Sequence, residues 1–145
     1  VSRNRIFIRR RDGRIEVRLS DDGRAFVREW FSRLRVAEAD AEHAWHGSLS
    51  PPIDPGQDAD DPLRSLERQR AVATNAELAL LSTDEDLLSE GEAWAWLSSL
   101  QLALRATAAL EGLATADDVE HATANELAEV RALQHLLGEL ADALA

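Results

Sequence analysis

Two histidines three residues apart, His43 and His46, stand beside Glu42 and Asp40 near the end of a long helical pattern. On one helix face, two imidazoles and a carboxylate could be offered to zinc or another divalent ion, the starting point of a metal-dependent hydrolase. A structural zinc site needs four ligands and a catalytic one three, and histidine near a helix C-terminus is favoured by the dipole alone. The grouping therefore falls short of a metal motif. His121, beside Glu120, and His135 stand in no motif and read as surface or boundary residues. The acidic runs Asp58-Ala-Asp-Asp61, Asp84-Glu-Asp86 and Asp117-Asp118-Val-Glu120 lack the central glycine and closing glutamate of a calcium loop. Each stands where a helix is expected to begin, and carboxylates there satisfy free N–H groups and the positive end of the dipole. No glycine-rich phosphate loop follows a strand, no serine sits in a nucleophile elbow, and cysteine is absent. We expect no enzyme, and assign no catalytic, cofactor or metal residue.

The residues with a binding chemistry of their own are Arg9, Arg10, Arg11 and Arg14, with Arg3, Arg5 and Arg18 nearby. A β-ribbon can enter the DNA major groove, where arginine neutralises phosphate and reads guanine. Arginines on a solvated sheet edge also discourage strand-to-strand aggregation, and they can dock an acidic protein surface. Charge decides the order of these readings. Residues 1–35 hold eleven arginines against five acids, a balance of +6, so the other 110 residues carry −17 of the net −11. An acidic chain is repelled by a phosphate backbone. Arg9, Arg10, Arg11 and Arg14 are therefore expected to form a solvated edge or to bind a protein partner through its acidic surface, with DNA as the less favoured alternative.

These arginines need an element to hold them. Ile6 and Ile8, then Asp12-Gly13, then Ile15, Val17 and Leu19 spaced by Glu16 and Arg18, make an alternating pattern with a favoured primed-turn dipeptide between its halves. This predicts a β-hairpin over 1–20, apolar on one face and rich in arginine on the other. Ser20, Asp21 and Asp22 cap a first long helix over 21–46, with Phe26, Trp30, Leu34, Ala37, Ala41 and Trp45 as its apolar stripe. Three of the four prolines fall in 47–61, which reads as a flexible loop. Pro62 opens a helix ending near Ser82, with Leu63, Leu66, Arg70, Ala73, Glu77 and Leu80 on one side, and a short turn carries Leu87 and Leu88.

The most apolar stretch, 89–112, predicts a central core helix. Ser89 and Glu92 form its capping box, Gly112 its stop, and Ala93, Leu97, Leu100, Leu104 and Ala108, broadened by Trp94 and Trp96, its stripe. Capping signals at Thr115 and Thr123 predict a short helix and a break near 123, before a last helix whose stripe is Leu127, Val130, Leu133 or Leu137, Leu140 and Leu144. Such near-heptad leucines pack along another helix or a second subunit, so a homodimer is one expectation. The fold class expected is mainly α, a bundle of four to five helices with a small N-terminal β-hairpin. The 145 residues make a single domain, with the bundle over 62–145.

No apolar run reaches a membrane span, and the start lacks the apolar core of a signal peptide. A soluble cytoplasmic protein is expected, without disulfides or thiol redox chemistry. All sixteen basic residues are arginine and alanine is abundant, the bias of a GC-rich coding sequence.

The order of parts carries a resemblance. A basic hairpin, a long helix, a proline-containing loop, Asp61-Pro62-Leu63-Arg64-Ser65-Leu66, then Glu92-Ala-Trp-Ala-Trp96-Leu97-Ser-Ser-Leu100 and a leucine-rich final helix follow one another over nearly the whole chain. In this the chain resembles the actinobacterial domain-of-unknown-function family that includes AosR, oxidative-stress transcriptional regulators. It departs from that pattern at Gln101 and Leu102 and in its alanine-rich tail. The resemblance implies a non-enzymatic cytoplasmic regulator that acts through protein contacts with a partner such as a sigma factor or the transcription machinery. Family members that sense oxidants do so through paired cysteines, and this chain has none, so no sensor residue is carried over.

Overall fold

The computed structural model describes residues 5–40, 42–46, 62–110 and 124–145. The expected loop at 47–61, the cap and helix signals between Gly112 and Thr123, and the break near 123 lie outside the described residues.

The hairpin forms from β1 (Phe7–Arg9) and β2 (Ile15–Val17), with Phe7 opposite Val17 and Arg9 opposite Ile15. Its connection differs from the expected primed turn. Gly13 N–H donates to Arg10 O and Arg10 N–H to Arg14 O, so three residues, Arg11 to Gly13, make the loop. A two-residue primed turn with Asp12 and Gly13 would force Asp12 to a positive φ, whereas here only Gly13 takes that conformation, at +87°. The apolar phase also differs by one residue. Phe7, Ile15 and Val17 are buried, while Ile6 and Ile8 are only half-buried, because strand side chains alternate and the aromatic ring takes the inward place.

Leu87–Leu88, expected as part of a turn, is a third strand. As β3 it pairs antiparallel to β2, with Ile15 facing Leu88, and gives the sheet order β1-β2-β3. A two-stranded ribbon is marginal in water, and the added strand lets the hairpin's apolar face close on the helices.

Helix α1 spans Asp21–Ala39, capped by Ser20, whose hydroxyl accepts from Gly23 N–H at 3.1 Å. It ends earlier than 46. Asp40 leaves the helical conformation and its carboxylate accepts from Glu42 N–H, a local bond that competes with helix continuation. The chain then turns back through His43 N–H to Asp40 O and His46 N–H to His43 O. This reversal delivers Trp45 onto Trp30 with ring centroids 5.6 Å apart and planes 4° apart. An unbroken helix would have separated the two by about 22 Å, at 1.5 Å per residue.

Helices α2 (Pro62–Leu81), α3 (Glu90–Leu110) and α4 (Ala124–Leu144) complete the bundle. The face α2 turns inward is Val72, Ala76 and Ala79, not the predicted one: Leu63 and Leu66 are exposed. Small side chains permit close packing on α3, whereas the larger leucines lie beyond it. The capping box of α3 is formed, with Ser89 N–H donating to Glu92 Oε1 (2.8 Å) and Glu92 N–H to Ser89 Oγ (3.1 Å). Ala93, Trp96, Leu97, Leu100, Ala103 and Ala106 are buried, while Trp94 stands 47% exposed outside the stripe. Helix α3 touches α1, α2 and α4, as its apolar circumference requires. The last helix buries Val130, Leu133, Leu136 and Leu140 within the chain and packs against α3 and β1. Its leucines thus have a partner in this same chain. No described helix is long and apolar enough to cross a membrane.

Candidate protein-binding site

The hairpin holds its arginines in two groups instead of on one face. Arg10 and Arg18 both pair with Glu16, their neighbour across the sheet surface turned away from the core. Glu16 is held below the ordinary carboxylate range by the hydrogen bond from Arg18 first and that from Arg10 next. At the loop, Arg14 donates from its side chain (2.8 Å) and backbone (3.0 Å) to Asp12, which lowers the Asp12 carboxyl and raises the Arg14 guanidinium. Arg11 is exposed at the tip, and among the described residues it has no partner. Arg9 shares the register face of buried Phe7 and reaches the end of α4, its Nη1 donating to Ala145 O at 3.3 Å.

Of the four arginines singled out by sequence, Arg10 and Arg14 are thus locally compensated and Arg11 stays open. Arg9 belongs to a cleft of about 450 Å³ between β1 and α4, lined by Arg5, Phe7, Ile8 and Arg9 on one wall and Glu139, Asp142, Ala143 and Ala145 on the other. Sequence reasoning missed the carboxylates of this cleft. Glu139 and Asp142 lie far from the hairpin in the chain, and only the packing of α4 on β1 brings them there.

Another arginine has a structural task. Arg24, on α1, donates from Nη1 to Thr83 O (2.8 Å) and Glu85 O (3.0 Å), and from Nη2 to Asp86 Oδ1 (3.0 Å) and Val17 O (3.4 Å). Its side chain is 12% exposed. One guanidinium fork thereby joins α1, the end of β2 and the turn before β3. Arg28 pairs with Asp84 on the same side. The run Asp84-Glu-Asp86 therefore binds α1, and the acids in the first turn of α3 are Glu90 and Glu92. Glu85 alone faces another acid: the hydrogen bond with Glu92 pushes its carboxyl above the usual range.

The histidines do not converge. His43 Nδ1 accepts from Trp45 N–H (3.1 Å), and His46 Nδ1 meets Ala37 O (2.8 Å), where it must carry the proton. Both rings serve the turn that returns Trp45 to α1. Among the described residues no three histidines and acids are placed to hold a metal ion. His135 is exposed on α4, and His121 lies outside the described residues.

No family model matches this chain, and neither a curated protein nor a solved structure matches it.

Proposed function

We propose that the chain is a non-enzymatic regulatory or adaptor protein that recognises a protein partner through the hairpin and the cleft beside it. The observation that carries this reading is the mixed charge of the site. Glu16 and Asp12 compensate three hairpin arginines, and Glu139 and Asp142 face Arg5 and Arg9 across the cleft. A duplex groove calls for uncompensated positive charge, whereas a protein surface presents both signs. The order of elements, similar to that of the actinobacterial oxidative-stress regulators, supports a partner in the transcription machinery such as a sigma factor. A cysteine-free chain cannot use paired cysteines as a sensor, which leaves loss of sensing, a signal received from a partner, or another purpose.

The test is capture of purified sigma factor and polymerase subunits from the source organism, nuclease-treated, by wild type and by a variant with Arg9, Arg10, Arg11 and Arg14 changed to alanine. Recovery by wild type and loss in the variant support the reading. Binding only to duplex DNA, with affinity falling steeply as salt rises, would replace it with DNA recognition by the hairpin.

A further inference from the structure

We propose that the outer edge of β1 accepts an extended peptide segment as a fourth strand, seated in the cleft against α4. The proposal rests on the protein-binding reading above and names the surface and the form of its ligand.

The pairing pattern of the sheet fixes which backbone groups are available. Arg18 N–H bonds Ile6 O and Arg10 N–H bonds Arg14 O, so residues 6, 8 and 10 turn their peptide groups toward β2. Phe7 and Arg9 consequently turn theirs outward, and among the described residues no backbone partner meets them. An unpaired row of this kind is a template for another strand, unless something blunts it. Here the sheet order leaves β1 at the edge, and although α4 packs against the strand and Arg5 and Arg9 flank it, a cleft of about 450 Å³ lined by Arg5, Phe7, Ile8 and Arg9 runs along it.

The opposite wall sets the chemistry of the occupant. Arg5, Arg9, Glu139 and Asp142 line one cleft, yet among the described residues none of the four is in an ion pair. Two guanidinium groups, of which Arg9 donates only to Ala145 O, and two carboxylates without an ion pair between them favour a ligand that brings both signs. In an extended peptide, residues two apart project to the same face, so an acid and a base at that spacing can meet both walls while the backbone bonds Phe7 and Arg9. Phosphate chains are disfavoured there, since Glu139 and Asp142 repel them.

The experiment is selection of a phage-displayed library of random twelve-residue peptides on the intact protein, with Arg9→Pro as the counter-selection. Proline at 9 removes an outward N–H and leaves the bonds to β2 in place, which circular dichroism and the melting temperature check. Selected peptides, made as free capped molecules, are expected to carry an acid and a base two apart. They should shift the Phe7 and Arg9 amide resonances, and lose tenfold or more in affinity when the contacting peptide bond is N-methylated. Glu139→Gln with Asp142→Asn, an edge-sparing variant, should change the preferred charges without abolishing binding. Failure to select any peptide above the counter-selection overturns strand addition, as does equal binding after N-methylation, or binding by free amino acids alone. Peptides that map elsewhere overturn it while leaving the protein-binding reading intact; failure of the purified-partner capture described above removes that reading separately.

Discussion

The buried indole N–H of Trp96 donates to Ser82 Oγ at 2.8 Å, joining the first turns of α3 to the residue that follows α2. The same ring meets Phe7 edge-on at 6.1 Å and Phe31 at 5.3 Å, so hairpin, α1, α2 and α3 converge on one side chain. The Ser82 hydroxyl donates to Leu78 O or Ala79 O, which leaves a lone pair to accept from the indole. Trp96→Phe should cost about 2–4 kcal/mol through the void and the lost bond. Ser82→Ala, which strands the N–H, should cost about 1–3 kcal/mol. Urea unfolding of both single variants and the double variant measures the coupling; additive losses would show that the bond contributes nothing of its own.

Arg24→Lys should destabilise nearly as much as Arg24→Ala, by about 2–3 kcal/mol, because an ammonium group cannot span Thr83 O, Glu85 O and Val17 O as the fork does. Thermal unfolding of the two variants compares them directly. A fully stable lysine variant would mean that charge alone holds the junction.

Gly13→Ala isolates backbone conformation, since an added Cβ would meet nothing within 4 Å while φ stays at +87°. The expected loss is about 1 kcal/mol, with Gly13→Asn closer to wild type. Equal stability of the alanine variant would indicate that the loop adopts another turn.

Stability should depend on pH in two opposite ways. Asp12 and Glu16 are lowered by their arginines, so their contribution is present above the unfolded-state values and is lost as pH falls through the lower folded-state ones. Asp12→Asn with Glu16→Gln should therefore flatten the acid limb below about pH 4. Glu85 is raised by Glu92, so its favourable, protonated form is present below the unfolded value and is lost as pH rises through the folded one. Glu85→Gln should melt higher than wild type at pH 7 and no higher at pH 3. Melting curves across that range test both signs.

Helices were readable from sequence where local chemistry and packing agree. Ser20 and Ser89 cap the helices they were expected to cap, and Pro62 opens α2. Reading failed where distant packing chose between local options. Ile6, Phe7 and Ile8 are all apolar, so alternation alone cannot set the phase; Trp96 sets it by taking the Phe7 ring. Leu87 and Leu88 look like any pair of leucines until β2 lies beside them. The Trp45 position fits a helical stripe by spacing, yet Asp40 supplies a competing bond and the stack on Trp30 rewards the reversal. For the candidate site, the arginines were visible as a composition, but their compensation by Glu16 and Asp12 and the cleft carboxylates depended on tertiary placement.

The pairing of Ile15 with Leu88 also sets an order of events at the ribosome. The hairpin segment emerges with Phe7, Ile15 and Val17 uncovered, and its third strand follows roughly 70 residues later, about 4–14 s at ordinary elongation rates. Throughout that interval the apolar residues of the hairpin segment lack the strand and helices that cover them in the folded chain. Refolding of the finished chain faces no such delay, so synthesis and refolding should differ most in how long this one surface stays open.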